Sequence, residues 1–192
     1  MRTISKLIKA AAIWNLNNLG LCSSGSLVIL YDYEAMKKAI QTSNLDSFKL
    51  AIVGAIETRD NIKFGAYEVS SVWARKGYGP ILYLLAVDFA DIHGLIPNQN
   101  PSHLSSSAKK IWKMFYEHPD KVLVEPLKQK TLNTEPYLKI KLLKKIKIGK
   151  DVAIANHLKL VKNDKYGEIL NSIVETADSI LNSQMTSLYQ YK

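Results

Sequence analysis

Six consecutive residues, Arg75, Lys76, Gly77, Tyr78, Gly79 and Pro80, separate two apolar runs, and their types suit the capture of an anion. Gly77 and Gly79 lack the Cβ that would hold a ligand off the backbone. Pro80 fits the first turn of a helix, where its missing N–H costs nothing. The free N–H groups and dipole of such a helix start favour negative charge, and Arg75 and Lys76 stand beside them. The same residues also suit a plain strand-to-helix turn, because short glycine motifs are weakly specific.

This segment resembles the acetyl-CoA loop of the GNAT superfamily of N-acetyltransferases, whose signature is Q/R-x-x-G-x-G/A between a strand and a helix. Ala74-Arg75-Lys76-Gly77-Tyr78-Gly79 matches at both glycines and has Ala74 at the first position. The run KGYGPILY, with GLIP after the helix, also resembles divergent acetyltransferase-like proteins of tailed bacteriophages. The resemblance covers residues 50–117. It implies acetyl-CoA as cosubstrate, with a splayed strand over 66–74 pairing the pantetheine arm through Val72 and Trp73. Arg75, Lys76, Gly77, Tyr78 and Gly79 would then hold the pyrophosphate.

Acetyl transfer to an amine needs a base for the amine and an acid for the leaving thiolate. The resemblance places Glu68 near the family's base, while the residue alone also reads as a solvent-facing strand position. The family's acid is a Tyr on the later helix. Trp112 stands in that place, and Tyr116, one turn on, is the substitute hydroxyl or else a core aromatic. Two functions follow: an acyl-CoA-dependent N-acetyltransferase with an unidentified amine acceptor, or a non-catalytic protein of the same fold, such as a phage virion component. The corresponding locations are the cytoplasm, including that of an infected host cell, or a virion.

Around this centre the chain reads as α/β: a GNAT-like mixed, mainly antiparallel sheet flanked by helices, with an appended C-terminal helix. Residues 26–31 form a strand and 33–40 a short helix. Residues 49–58 and 62–74 form two strands joined at Arg59, Asp60 and Asn61, so an antiparallel hairpin is expected. A helix over 80–93 follows, with Gly94 as its C-cap. Ile81, Leu82, Leu84, Leu85, Val87, Phe89 and Ile92 cover so much of it that it must be largely buried. The serines 105–107 can cap a helix carrying Ala108, Ile111, Trp112 and Phe115 at i, i+3, i+4, i+7. Residues 121–125 and 138–150 read as strands.

A last amphipathic helix, about 166–188, carries Ile169, Leu170, Ile173, Ala177, Ile180, Leu181 and Leu188. The chain thus divides into a GNAT-like domain, 1–160, and an interaction element, 161–192. The apolar stripe of that element is expected to meet another chain or a second copy.

The 192 residues suit one domain with an appended element. The net charge of +9 implies acidic partners such as CoA phosphates, nucleic acid or an acidic protein. The lysines in 139–150 could contact nucleic acid, or they protect an edge strand from pairing. Lone Cys22 rules out an intrachain disulfide, fits a reducing compartment and reads as a buried, inert thiol. His93, His103, His118 and His157 show no metal-ligand spacing, and no CxxC exists, so no metal site is expected.

No segment reaches the roughly 18 uninterrupted apolar residues of a membrane span. At the N-terminus, Lys9, Asn15, Asn17 and Asn18 interrupt any signal-peptide core, and bulky Leu21 precedes Cys22 where a lipoprotein needs a small residue. That segment reads as a short amphipathic helix with Ile4, Leu7, Ile8 and Ala11 on one face.

Overall fold

The computed structural model of the protein describes residues 18–117, 122–126, 138–142 and 166–189. The chain opens with β1 (Leu19–Ser24) and β2 (Leu27–Asp32), then α1 (Tyr33–Thr42) and α2 (Leu45–Ala51). A long hairpin of β3 (Ile52–Asn61) and β4 (Ala66–Ala74) follows, and α3 (Gly79–Ala90) leaves it directly. Then come the two-residue strand β5 (Leu95–Ile96), α4 (Ser106–Glu117), β6 (Val122–Pro126), β7 (Leu138–Leu142) and α5 (Tyr166–Tyr189).

One mixed sheet runs in the order β1-β2-β3-β4-β5-β7-β6. Strands β1 to β4 pair antiparallel, β4 pairs parallel with β5, and β5, β7 and β6 pair antiparallel again. Both faces of the sheet are covered, so its central strands read as continuous apolar runs rather than as alternation. Along β2, Val28 and Leu30 join one core with α3 and α4, while Leu27, Ile29 and Tyr31 join another with α1, α2 and α5. The result is a mixed α/β protein of three layers. Among the described residues no helix is long and apolar enough to cross a membrane.

Local chemistry sets the element ends. Asp32 caps α1 by accepting from the Ala35 N–H at 2.8 Å, and Asn44 caps α2 by accepting from Asp46 at 2.9 Å. The run from Lys49 to Ala51, expected as strand, is the end of α2. Phe48 and Ala51 are three apart on one buried helical face, which outweighs the β-propensity of the run that follows. The hairpin turn lies at 62–65 rather than at Arg59, Asp60 and Asn61. The Phe64 N–H closes onto Asn61 O, and Gly65 takes φ +58, which glycine tolerates best.

Helix α3 is buried at every position from Ile81 to Val87, whereas Phe89 and Ile92 are exposed. It stops at Ala90, earlier than expected, because Asp91 turns to φ +44, and a single 3-10 turn then reaches Gly94. Ser105 caps α4 through the Ala108 N–H at 3.1 Å. Strand β1 replaces what composition suggested was the tail of an N-terminal helix. The expected helix around Ile4, Leu7, Ile8 and Ala11, the lysines beyond Leu142, and the side chains of β7 lie outside the described residues.

Helix α5, expected as an interaction element, packs against the sheet. Ile173, Ala177 and Leu181 are buried in the same core as Cys22, Ile29, Met36, Phe48 and Ile52, with Trp73 packed against it. The stripe expected to seek another chain therefore covers this chain's own sheet. Burying the Ile and Leu side chains alone contributes about 1.5–3 kcal/mol each. Cys22 is buried as read, and burial pushes its thiol up to about 11, so it stays protonated and unreactive at neutral pH.

Truncation ahead of Tyr166 is expected to give an aggregating or unfolded chain, because one face of the sheet loses its cover. A truncated protein that melts cooperatively near the full-length temperature would contradict this packing.

Candidate functional site

Among the described residues, strand β4 is paired along its full length on one side only. Against β3 its register runs from Asn61↔Ala66 to Gly54↔Ala74, while against β5 it stops at Glu68↔Ile96. The Arg75 N–H donates to Val53 O at 2.8 Å, so Arg75 and, two residues earlier, Trp73 turn their backbone groups toward β3. Alternation then turns those of Val72 and Ala74 to the other edge. Among the described residues no strand pairs with that stretch. The two strands thus open into a wedge whose closed end is Glu68 and Ile96.

The open edge leads straight into the basic glycine loop. Tyr78 N–H closes onto Arg75 O at 3.0 Å, and Gly77 sits at φ +96, a region that an L side chain rarely adopts. Helix α3 begins at Gly79 with no side-chain cap and with Pro80 in its first turn. Leu82 N–H reaches Tyr78 O, leaving Gly79 and Ile81 at the helix start without intrahelical acceptors. A Cβ on Gly79 would lie 3.3 Å from Ile111 Cδ1, so α4 stands close behind the loop. Arg75, Lys76 and Gly77 are exposed. Arg75 Nη2 donates to Leu50 O at 2.6 Å, which ties the loop to the carbonyl end of α2. The arrangement offers two backbone devices in line: an unpaired strand edge and an uncapped, positively flanked helix start.

Of the residues expected to hold acetyl-CoA, the structure brings Val72, Arg75, Lys76, Gly77, Tyr78 and Gly79 to this line. Val72 and Tyr78 pack their side chains against the α3 core. Trp73 is not brought there. Its backbone pairs with Ala55, and its ring packs in the opposite core beside α5.

Glu68 is neither solvent-facing nor available as a free base. It is 1% exposed and accepts from Arg59 Nη2 at 2.8 Å, Asn61 Nδ2 at 2.6 Å and the Gln99 N–H at 2.9 Å. Three donors from two segments, β3 and the stretch after β5, hold it as a structural anion at the closed end of the wedge. Trp112 is buried against Tyr83, with rings edge to face at 5.6 Å. Burial pushes the Tyr83 hydroxyl well above the usual tyrosine range, and a side-chain hydrogen bond with Trp112 offsets part of the rise. The side chain of Tyr116 lies outside the described residues.

Sequence reasoning missed three features. Tyr83 is the buried hydroxyl beside Trp112, and the i, i+1 crowding of aliphatics on α3 hid it. Asn98 bridges from β5 to β4, signalled only by the turn-forming composition of Pro97-Asn98-Gln99-Asn100. Glu57 gathers two hydroxyls at a bulge in β4: Ser70 Oγ lies 2.8 Å and Ser71 Oγ 3.1 Å from Glu57 Oε2. Asp178 of α5 stands near this carboxylate. Partial burial, and then the Glu57 charge, raise the Asp178 carboxyl above its ordinary value.

No family model matches the chain, nor does any curated protein or solved structure.

Glu68→Gln is expected to lower stability by about 1–3 kcal/mol, the scale of a lost charge-assisted hydrogen bond. A melting temperature equal to wild type would show that the knot carries no structural load. Asp178→Asn is expected to stabilise by about a few tenths of a kcal/mol at neutral pH, discounted for solvent screening. A carboxyl raised on folding binds its proton more tightly in the folded state, so its destabilising effect appears as pH rises through the carboxylate range. The gain from Asp178→Asn should therefore vanish in acid. A gain that persists at pH 3 by thermal melting would exclude this charge repulsion.

Proposed function

We propose that the protein binds acetyl-CoA in a GNAT-like manner and transfers its acetyl group to an amine. The observation that carries this reading is the continuity of the unpaired β4 edge at Val72 and Ala74 with the uncapped start of α3. An extended arm bearing amides, such as pantetheine, is complementary to a strand edge that has lost its neighbour. A pyrophosphate is complementary to the amides of Gly77, Gly79 and Ile81, to the helix dipole and to Lys76. Acetyl-CoA carries both groups in that order. The parallel β4–β5 pair that parts after two residues supports a GNAT-like sheet for the same reason.

In the transfer, the acceptor nitrogen forms a bond to the acetyl carbonyl carbon and the C–S bond breaks. The proton lost by nitrogen is matched by one delivered to the CoA sulfur. Tyr116 is the hydroxyl proposed for that delivery. Glu68 is committed to its three donors, so the amine loses its proton to water.

A second reading has one specific support. Glu68 is locked, and Trp112 occupies the place of the family's acid, so the binding parts are better kept than the chemical ones. A non-catalytic acyl-CoA-binding or structural protein, such as a phage virion component, would need only the former.

Gly77→Asp tests the shared premise. The new side chain meets an unfavourable φ and places negative charge against phosphate, so acetyl-CoA affinity measured by calorimetry should fall at least about 100-fold, or about 2.7 kcal/mol. Retained affinity in a folded variant would make the loop an ordinary turn. Acetyl-CoA binding by wild type without turnover on a panel of amines would select the second reading.

A further inference from the structure

Where β5 ends, a single side chain both stops the pairing with β4 and holds the strands together. Asn98 is 6% exposed, two residues beyond the last paired residue, Ile96. Its Oδ1 accepts the Asn100 N–H at 2.9 Å, and this Asx turn bends the chain out of strand geometry. Its Nδ2 donates to Ser70 O at 3.3 Å. Ser70 is the extra residue of the β4 bulge, because Thr58 pairs with Val69 and Glu57 with Ser71. A bulged residue has no rung in the ladder to β3, so its carbonyl needs another donor. Asn98 provides it from the far side of the wedge.

The consequence concerns the residues just beyond. Had the parallel ladder run on, the segment after β5 would have paired with β4 past Val69 and used the edge groups of Val72 and Ala74. The Asx turn removes that competitor, and the Nδ2 bond fixes the distance at which the strands part. Gln99, next in the chain, adds its N–H to Glu68 at 2.9 Å and clamps the same corner from below. We propose that Asn98 is the positioning residue of the β4–β5 wedge, keeping the Val72 and Ala74 edge free for the pantetheine arm of acetyl-CoA. It acts through the two strands and touches no reacting atom. The proposal rests on the acetyl-CoA reading and goes further by assigning the arm and the pyrophosphate to separately testable parts.

The test uses the full chain and two probes, acetyl-CoA and ADP, titrated by calorimetry into wild type and Asn98→Asp. The variant keeps the acceptor of the Asx turn, loses the donor to Ser70 and sets a carboxylate oxygen against the Ser70 carbonyl. ADP presents a pyrophosphate without an arm and reports on the 75–79 loop alone. Wild type should bind both probes. Asn98→Asp should weaken acetyl-CoA by about tenfold or more, the scale of one lost buried hydrogen bond. Its ADP affinity should stay within about twofold of wild type. In wild type, bound acetyl-CoA but not ADP should slow hydrogen exchange at the Val72 and Ala74 amides.

Equal loss for both probes would make Asn98 a general structural residue and overturn the proposal. Unchanged acetyl-CoA affinity would overturn it as well, while leaving the acetyl-CoA reading intact. Wild type that binds neither probe would bring down that reading and the proposal with it. If the Asp variant melts below the assay temperature, Asn98→Ser serves with the same expected split, since its hydroxyl keeps a turn-forming acceptor.

Discussion

The site depends on a buried anion. A carboxylate taken out of water costs several kcal/mol unless donors replace its hydration, and Glu68 recruits those donors from two sides. Arg59 and Asn61 come from β3 on one side, and the Gln99 amide comes from the segment after β5 on the other. The same side chain therefore holds the hairpin end and decides where the β5 chain crosses. Everything on the far side of that crossing, from Ser70 to the start of α3, inherits its geometry from this fixed point. Residues 69–74 can be an open edge because residues 66–68 are so firmly closed.

The sheet's two covered faces impose the next constraint. Helices α3 and α4 supply one cover, and α1, α2 and α5 the other, so a strand residue in the middle has no solvent side in which to place charge. Glu57 is the exception on β3. It is half-buried, its charge is met by the hydroxyls of Ser70 and Ser71, and Asp178 of the covering helix adds a like charge instead of a cation. That helix is therefore held by Ile173, Ala177 and Leu181 despite an unfavourable charge pair at its margin. The apolar stripe was visible in the sequence as a need for a partner, but an amphipathic pattern does not say whether the partner is a second chain or this chain's own sheet.

What was legible follows from how local each signal is. The loop at 75–80, the burial of α3, the Ser105 cap and the hairpin were readable because a few neighbouring residues determine them. Strand β1 was not, since Leu19-Gly20-Leu21-Cys22-Ser23-Ser24 has too short and too mixed a pattern, and its place depends on β2. Gly20 carries the reason: a Cβ there would overlap the Tyr31 ring, a contact across the β1–β2 pair that no spacing rule reveals. Glu68 was read by analogy as a base or by propensity as exposed. Its partner Gln99, 31 residues away, decides against both. Asn98 and Tyr83 are of the same kind, polar atoms whose roles exist only once distant segments meet.

Binding and chemistry are built from different materials here, and that difference bears on the choice between enzyme and binder. The edge of β4 and the amides of Gly77, Gly79 and Ile81 are backbone groups. Almost any residue can supply them, provided glycine stands at φ +96 and no strand covers the edge. Acid and base require particular side chains with free lone pairs or protons. At the two positions where the resemblance would place them, one carboxylate is saturated and one aromatic is an indole packed against a buried tyrosine. A backbone-built cradle thus survives substitutions that would remove chemistry. The proposed acetyl-CoA site is for that reason the firmer half of the functional reading, and the proposed acid chemistry would rest on Tyr116.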